Sequence, residues 1–69
     1  MHKIVGYIVA KIDIRTQETI EYGPAYKRFD DCDKVVRHLN RTNKDPNSLY
    51  IVDEVPDDSD IAKELMEEE

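Results

Sequence analysis

Cys32 and His38 are the residues that most resemble a nucleophile and a base. They stand six positions apart in a stretch of helical periodicity, which sets them about 240° apart around a helix axis. A thiol and an imidazole so placed point in different directions. Cys32 reads instead as a small core residue on an apolar stripe, and His38 as a surface residue beside it. His2 lies near a chain end, and the three residues together lack any structural zinc spacing. With only Gly6 and Gly23, no glycine-rich phosphate loop can form. Ser59 has no visible base. The chain is expected to be non-enzymatic, with no cofactor and no metal.

The acidic stretch from Asp53 to Asp60 raises calcium as a second chemistry. An EF-hand loop takes acidic or amide ligands at its positions 1, 3 and 5, glycine at 6 and glutamate at 12. Counting from Asp58 places Asp60 at the third position, but Ala62 and Lys63 fall where a ligand and the glycine belong. Weak, nonspecific cation binding is all that this spacing supports.

Charge carries the clearest functional signal. Residues 1–44 hold nine basic and six acidic side chains, a net +3, whereas residues 45–69 hold Lys63 against ten carboxylates, a net −9. Together these give the formal charge of −6. A concentrated negative end repels itself and attracts cationic partners over distance. Lys34, Arg37, Arg41 and Lys44 recur at helical spacing and form a basic stripe. The stripe reads as a solvated helix face partly paired with Asp31 and Asp33, because the total charge opposes a polyanionic ligand; the alternative is a nucleic-acid-binding or regulatory module using the basic face of a helix over residues 30–43.

The positioning elements follow from periodicity. Residues 3–14 read as a strand with Ile4, Gly6, Ile8, Ala10, Ile12 and Ile14 on one face; Val5, Tyr7 and Val9 make the other face apolar as well. A strand apolar on both sides is normally central and covered twice. Residues 15–18 form a polar turn that lacks the Asn-Gly signature, so its type stays open. Residues 19–22 form a second strand, interrupted by Gly23-Pro24. Residues 26–29 either continue it or lead into a helix. Asp30 is the expected N-cap, accepting from the amide of Asp33, and Asp31 and Asp33 suit the positive helix start. Cys32, Val35, Val36 and Leu39 give that helix one apolar stripe to about Thr42. The cluster at residues 43–48 ends it. Residues 49–55 form a third strand, with Leu49, Ile51, Asp53 and Val55 on one side, and Pro56 stops it. Residues 57–60 cap a short amphipathic helix carrying Ile61, Ala62, Leu65 and Met66, and Glu67, Glu68 and Glu69 are expected to fray against the helix dipole.

The expected fold is a small α+β domain of ββαβ(α) order: a three-stranded antiparallel sheet in the order 2-1-3, one main helix and a short C-terminal helix. Residues 1–56 form the ββαβ core and residues 57–69 an acidic helix or tail, in one domain. The main helix can cover one face only. The face with Val5, Tyr7, Val9, Tyr50 and Val52 is expected to need either the C-terminal helix or a second subunit. A chain of 69 residues buries only about 60% of its unfolded surface, and small cores of this kind often rely on a staple. With one cysteine an internal disulfide is excluded, so a homodimer is expected. No apolar run reaches membrane-spanning length. The first ten residues alternate like a strand rather than a signal peptide, and the lone thiol suits a reducing cytoplasm.

In length, in ββαβα order and in the acidic run Asp53-Glu54, Asp57-Asp58-Ser59-Asp60, Glu64 and Glu67-Glu68-Glu69, the chain resembles the small acidic phage-encoded proteins that mimic DNA to take over a host. It is most similar to the phage inhibitors of the bacterial nucleoid protein HU. The resemblance implies a homodimer in the host cytoplasm that blocks DNA-binding arms. DNA mimics share charge rather than a diagnostic motif, so no binding residue carries over. From the chain's own charges, the expected partner-binding residues are Asp53, Glu54, Asp57, Asp58, Asp60 and Glu64, with a basic DNA-binding protein as partner and no direct nucleic acid. A duplex presents one phosphate charge per roughly 1.7 Å of axis, and these carboxylates would stand in for it. A third reading is an accessory phage protein whose sheet or short helix recognises a partner apolarly.

Overall fold

The computed structural model describes residues 3–67, with side chains described to Leu65. His2, Glu68 and Glu69 lie outside the described residues, as does the side chain of Met66 expected on the last apolar stripe; Glu67, expected to fray, is the last residue of α2. Five elements follow in order: β1 Ile4–Asp13, β2 Thr19–Tyr26, α1 Phe29–Thr42, β3 Ser48–Pro56 and α2 Asp60–Glu67. The sheet order is β2-β1-β3, with both neighbours antiparallel to β1. The α+β fold and its strand order are those the apolar patterning predicts.

The two helices lie on opposite faces of the sheet. On one face Val9, Cys32 and Val36 are buried together, with Tyr7, Tyr26, Leu39, Tyr50 and Val52 packed around them. On the other, Ile8 and Val55 are buried against Ala62 and Leu65 of α2. This reverses one expectation. The face carrying Tyr7, Val9, Tyr50 and Val52 is the one α1 covers, and α2 takes the even-numbered face. Val5 also changes sides: it is an extra residue between the pairs Ile4–Pro56 and Gly6–Val55, and this bulge turns it toward the α2 cluster.

Two more bulges shape β2. Gly23 and Pro24 together oppose Val9, between the pairs Ile8–Ala25 and Ala10–Tyr22. The strand therefore continues through the Gly-Pro pair instead of stopping there. Proline needs no ladder partner on an edge strand, and a bulge absorbs the extra residue. Ile20 is the second extra residue, between Glu21 and Thr19. The β1–β2 loop closes through Asp13 N–H donating to Glu18 O at 2.9 Å, and Gln17 adopts φ 62°. That left-handed residue is what replaces the missing Asn-Gly signature.

Helix α1 starts earlier than its acidic residues suggest. The N-cap is Arg28, in extended conformation and without a side-chain cap, while Asp30 and Asp31 sit in the first turn. The Phe29 ring meets Tyr7 edge-on at 5.4 Å and 84°. This aromatic contact ties the helix start to the sheet, and the carboxylates still oppose the positive end of the dipole.

Asparagine side chains close the outer edge of β3. Asn40 on α1 donates from Nδ2 to Tyr50 O at 2.9 Å and accepts from Tyr50 N–H on Oδ1 at 2.8 Å. It thereby stands where another strand's backbone would stand. Asn43 donates to Ser48 O at 3.2 Å, and Asp53 Oδ1 accepts from Glu54 N–H at 2.9 Å. An unpaired edge invites pairing with other chains, so these side chains protect it. Replacing Asn40 with alanine leaves both Tyr50 backbone groups without partners, at an expected cost of about 1–3 kcal/mol. Urea denaturation should show a lower midpoint with an unchanged slope, and light scattering should show new self-association. A midpoint equal to that of the native chain would remove the clamp from the account of the edge.

Candidate acidic docking surface

The turn after β3 builds the acidic site. Asp57 N–H donates to Lys3 O at 2.8 Å, which pins the end of β3 to the start of β1. Ser59 then caps α2: its Oγ accepts from Ala62 N–H at 3.1 Å and donates to Pro56 O at 2.8 Å. Asp57, Asp58 and Asp60 are exposed around this helix start, where the dipole favours negative charge. One turn on, Glu64 shares a helix face with Asp60 and is also exposed. Ile61, Ala62 and Leu65 turn inward.

The six carboxylates expected to act together do not all share one surface. Asp57, Asp58, Asp60 and Glu64 gather on α2 and the turn before it. Asp53 opposes Ile8 on β3 and so shares the α2 face. Glu54 opposes Tyr7 and points to the α1 side. The alternation of a strand makes this unavoidable for neighbouring residues.

The basic stripe occupies the far side of the molecule. Lys34, Arg37 and Arg41 are exposed on α1, and Arg37 Nε pairs with Asp33 at 3.0 Å, one helical turn away. Lys11 lies over the Tyr50 ring at 5.8 Å on the same face of the sheet. The sheet thus separates α1, whose Lys34, Arg37 and Arg41 are balanced in number by Asp30, Asp31 and Asp33, from α2, where carboxylates outnumber Lys63.

Cys32 is fully buried. Burial, with a smaller contribution from neighbouring Asp33, pushes its thiol above the ordinary range. A protonated, inaccessible thiol is a poor nucleophile. His38 is exposed and does not face it. Among the described residues no three His, Cys, Asp or Glu side chains converge as a metal site. Asp45 is held below the usual carboxylate range, chiefly by the N–H of Asn47 and then by Ser48. It organises the α1–β3 loop, where Asn47 N–H donates to its Oδ1 at 2.9 Å.

Sequence patterning alone does not locate a cleft of about 330 Å³ between β2 and α2. Ile8, Tyr22, Pro24 and Ala25 line it from the sheet, and Ile61, Glu64 and Leu65 from α2. The one available signal is the Gly23-Pro24 pair, whose bulge bends β2 next to α2.

No family model, curated protein or solved structure matches this chain. Among the described residues, no helix is long and apolar enough to cross a membrane.

Proposed function

We propose that this protein is a non-enzymatic inhibitor that docks its acidic α2 side onto a basic DNA-binding protein and occupies the nucleic-acid site there. The supporting observation is a local excess of carboxylate: Asp57, Asp58, Asp60 and Glu64 lie together at α2 and its preceding turn, with Lys63 as the cation on that helix, whereas on α1 Lys34, Arg37 and Arg41 are matched in number by Asp30, Asp31 and Asp33. A partner approaching the α2 side meets more carboxylates than cations, since Lys63 is the one basic residue on that helix. Field-guided association of this kind is fast and salt-sensitive. The reading places the protein in the cytoplasm, in keeping with its single thiol, and agrees with the resemblance to phage-encoded DNA mimics that act on nucleoid proteins.

The test uses purified bacterial nucleoid protein HU as the basic partner. Binding is measured over a salt series with duplex DNA as competitor. The native chain should bind, lose affinity as salt rises and be displaced by DNA. Replacing Asp57, Asp58 and Asp60 with asparagine should weaken binding at least ten-fold while the thermal midpoint moves by only a few degrees, since exposed substitutions cost little. Equal binding by that variant refutes the acidic-surface mechanism. Retardation of duplex DNA by the protein alone, lost on replacing Arg37 and Arg41, would transfer the function to the basic helix.

A dimer belongs to the same proposal. Helix α2 covers only one end of the even face. At the other end Ile14 and Leu49 are 40–49% exposed. Stable interfaces bury about 800 Å² per partner, a modest share of the 5300 Å² surface. Sedimentation should give twice the 8.1 kDa chain mass, and Leu49→Lys should return the monomer. A native chain that sediments as a monomer at high concentration rejects the dimer.

A further inference from the structure

The cleft between β2 and α2 has a chemistry that the acidic surface alone does not. Its walls are Ile8, Pro24, Ala25, Ile61 and Leu65, and its single charged lining residue is the exposed Glu64. Tyr22, 55% exposed, supplies an aromatic ring to the same lining. An apolar trough ending in one carboxylate suits a long aliphatic stem that ends in a cation. Such side chains lay their methylenes on apolar surface and keep the charge outside. The volume of about 330 Å³ lies at the small end of ligand sites, enough for one such side chain.

We infer that this cleft is a receptacle for an arginine side chain of the partner, with the methylenes against Pro24, Ile61 and Leu65 and the guanidinium on Glu64 and the Tyr22 ring. The inference rests on the proposed docking to a basic protein and adds a point of recognition to it. Charge complementarity decides the occupant: the charged residue in the lining is Glu64, and the lining residue Ile61 directly follows Asp60 on α2, so a cationic side chain is drawn to the cleft and an anionic one repelled. Guanidinium is preferred over ammonium because its plane both stacks on an aromatic ring and pairs bidentately with a carboxylate. The Gly23-Pro24 bulge gives the wall its shape, and Pro24 fixes it with a locked φ.

The full chain, labelled with ¹⁵N, is titrated with acetyl-Gly-Arg-Gly-amide and with the same peptide carrying norleucine. The arginine peptide should give saturable shifts centred on the amides of Tyr22, Gly23, Ala25, Ile61 and Glu64. Norleucine should bind at least ten-fold more weakly, and Glu64→Gln should weaken the arginine peptide by roughly ten-fold, as expected for loss of a charge-assisted hydrogen bond. Shifts centred instead on residues 57–60, or unchanged binding in Glu64→Gln, would overturn the receptacle. The two proposals fail separately. If HU binds the native and Glu64→Gln chains equally while the triple asparagine variant loses it, the acidic surface stands and the receptacle falls. If the arginine peptide seats in the cleft while HU is not bound, the receptacle stands and the docking proposal falls.

Discussion

Replacing Ile8 with alanine is expected to remove about 2–5 kcal/mol of folding stability. Ile8 lies on the central strand and is 5% exposed, in contact with the cluster that holds α2: Val55, Ala62 and Leu65. A large-to-small change there loses the transfer free energy of the removed methylenes and leaves a cavity that a sheet on one side and a helix on the other cannot close. Native domains hold about 0.05–0.15 kcal/mol per residue, so a chain of 69 residues has little to spare. Urea denaturation followed by circular dichroism should show most of the native stability gone. Ile4→Ala is the control, because Ile4 is 42% exposed and its truncation should stay within about 0.5 kcal/mol. Equal costs at the two positions would mean that α2 does not complete the core.

Gly6→Ala is expected to have the next largest effect, by crowding rather than by a cavity. A Cβ at Gly6 would lie 2.6 Å from Leu65 Cδ1 and 2.8 Å from the backbone oxygen of Tyr26. The leucine methyl can turn aside within limits. The Tyr26 carbonyl belongs to β2 and yields only if the β1–β2 pairing opens. Overpacking of this kind costs about 1–3 kcal/mol. Because the added carbon points at Leu65, α2 should loosen first. Hydrogen exchange should therefore accelerate at residues 62–65 before it does around Val36, and the buried Cys32 thiol on the other face should stay unreactive until the domain unfolds globally. Unaltered exchange in α2 would show that the helix sits farther from β1 than these contacts require. Glycine is needed here for close approach, not for a special backbone angle, since no glycine has positive φ.

Both substitutions act on the join between sheet and α2, and that join also holds the acidic surface. Ser59, Ala62 and Leu65 fix the helix that presents Asp60 and Glu64. A change that unseats α2 should therefore weaken docking without touching a carboxylate. For this reason partner binding is better tested with exposed substitutions at Asp57, Asp58 and Asp60.

The five elements, the central place of β1 and the charge divide were readable from residue patterning. Period-two alternation marks strands, and a doubly apolar strand must lie in the middle. The cluster around Asp57-Asp58-Ser59-Asp60 announced a helix start, and Ser59 supplies the cap. The first turn of α1 was misjudged because Asp30 is a good capping residue in isolation, whereas the Phe29–Tyr7 ring contact is long-range. The Asn40 clamp and the cleft likewise join residues distant in sequence, and local patterning carries no signal for such meetings.

Which helix covers which face of β1 depends on long-range geometry. Both faces are apolar, so alternation separates two sets of side chains without saying which meets α1. That depends on the register of the β1–β2 hairpin, since a slip of one residue turns every side chain over. The register is set by a turn whose left-handed residue is Gln17, a residue type that does not announce the conformation. Composition and order along the chain thus determine the elements and their charges; the turn, the bulges at Val5, Ile20 and Gly23-Pro24, and the packing of two helices determine which charges share a surface.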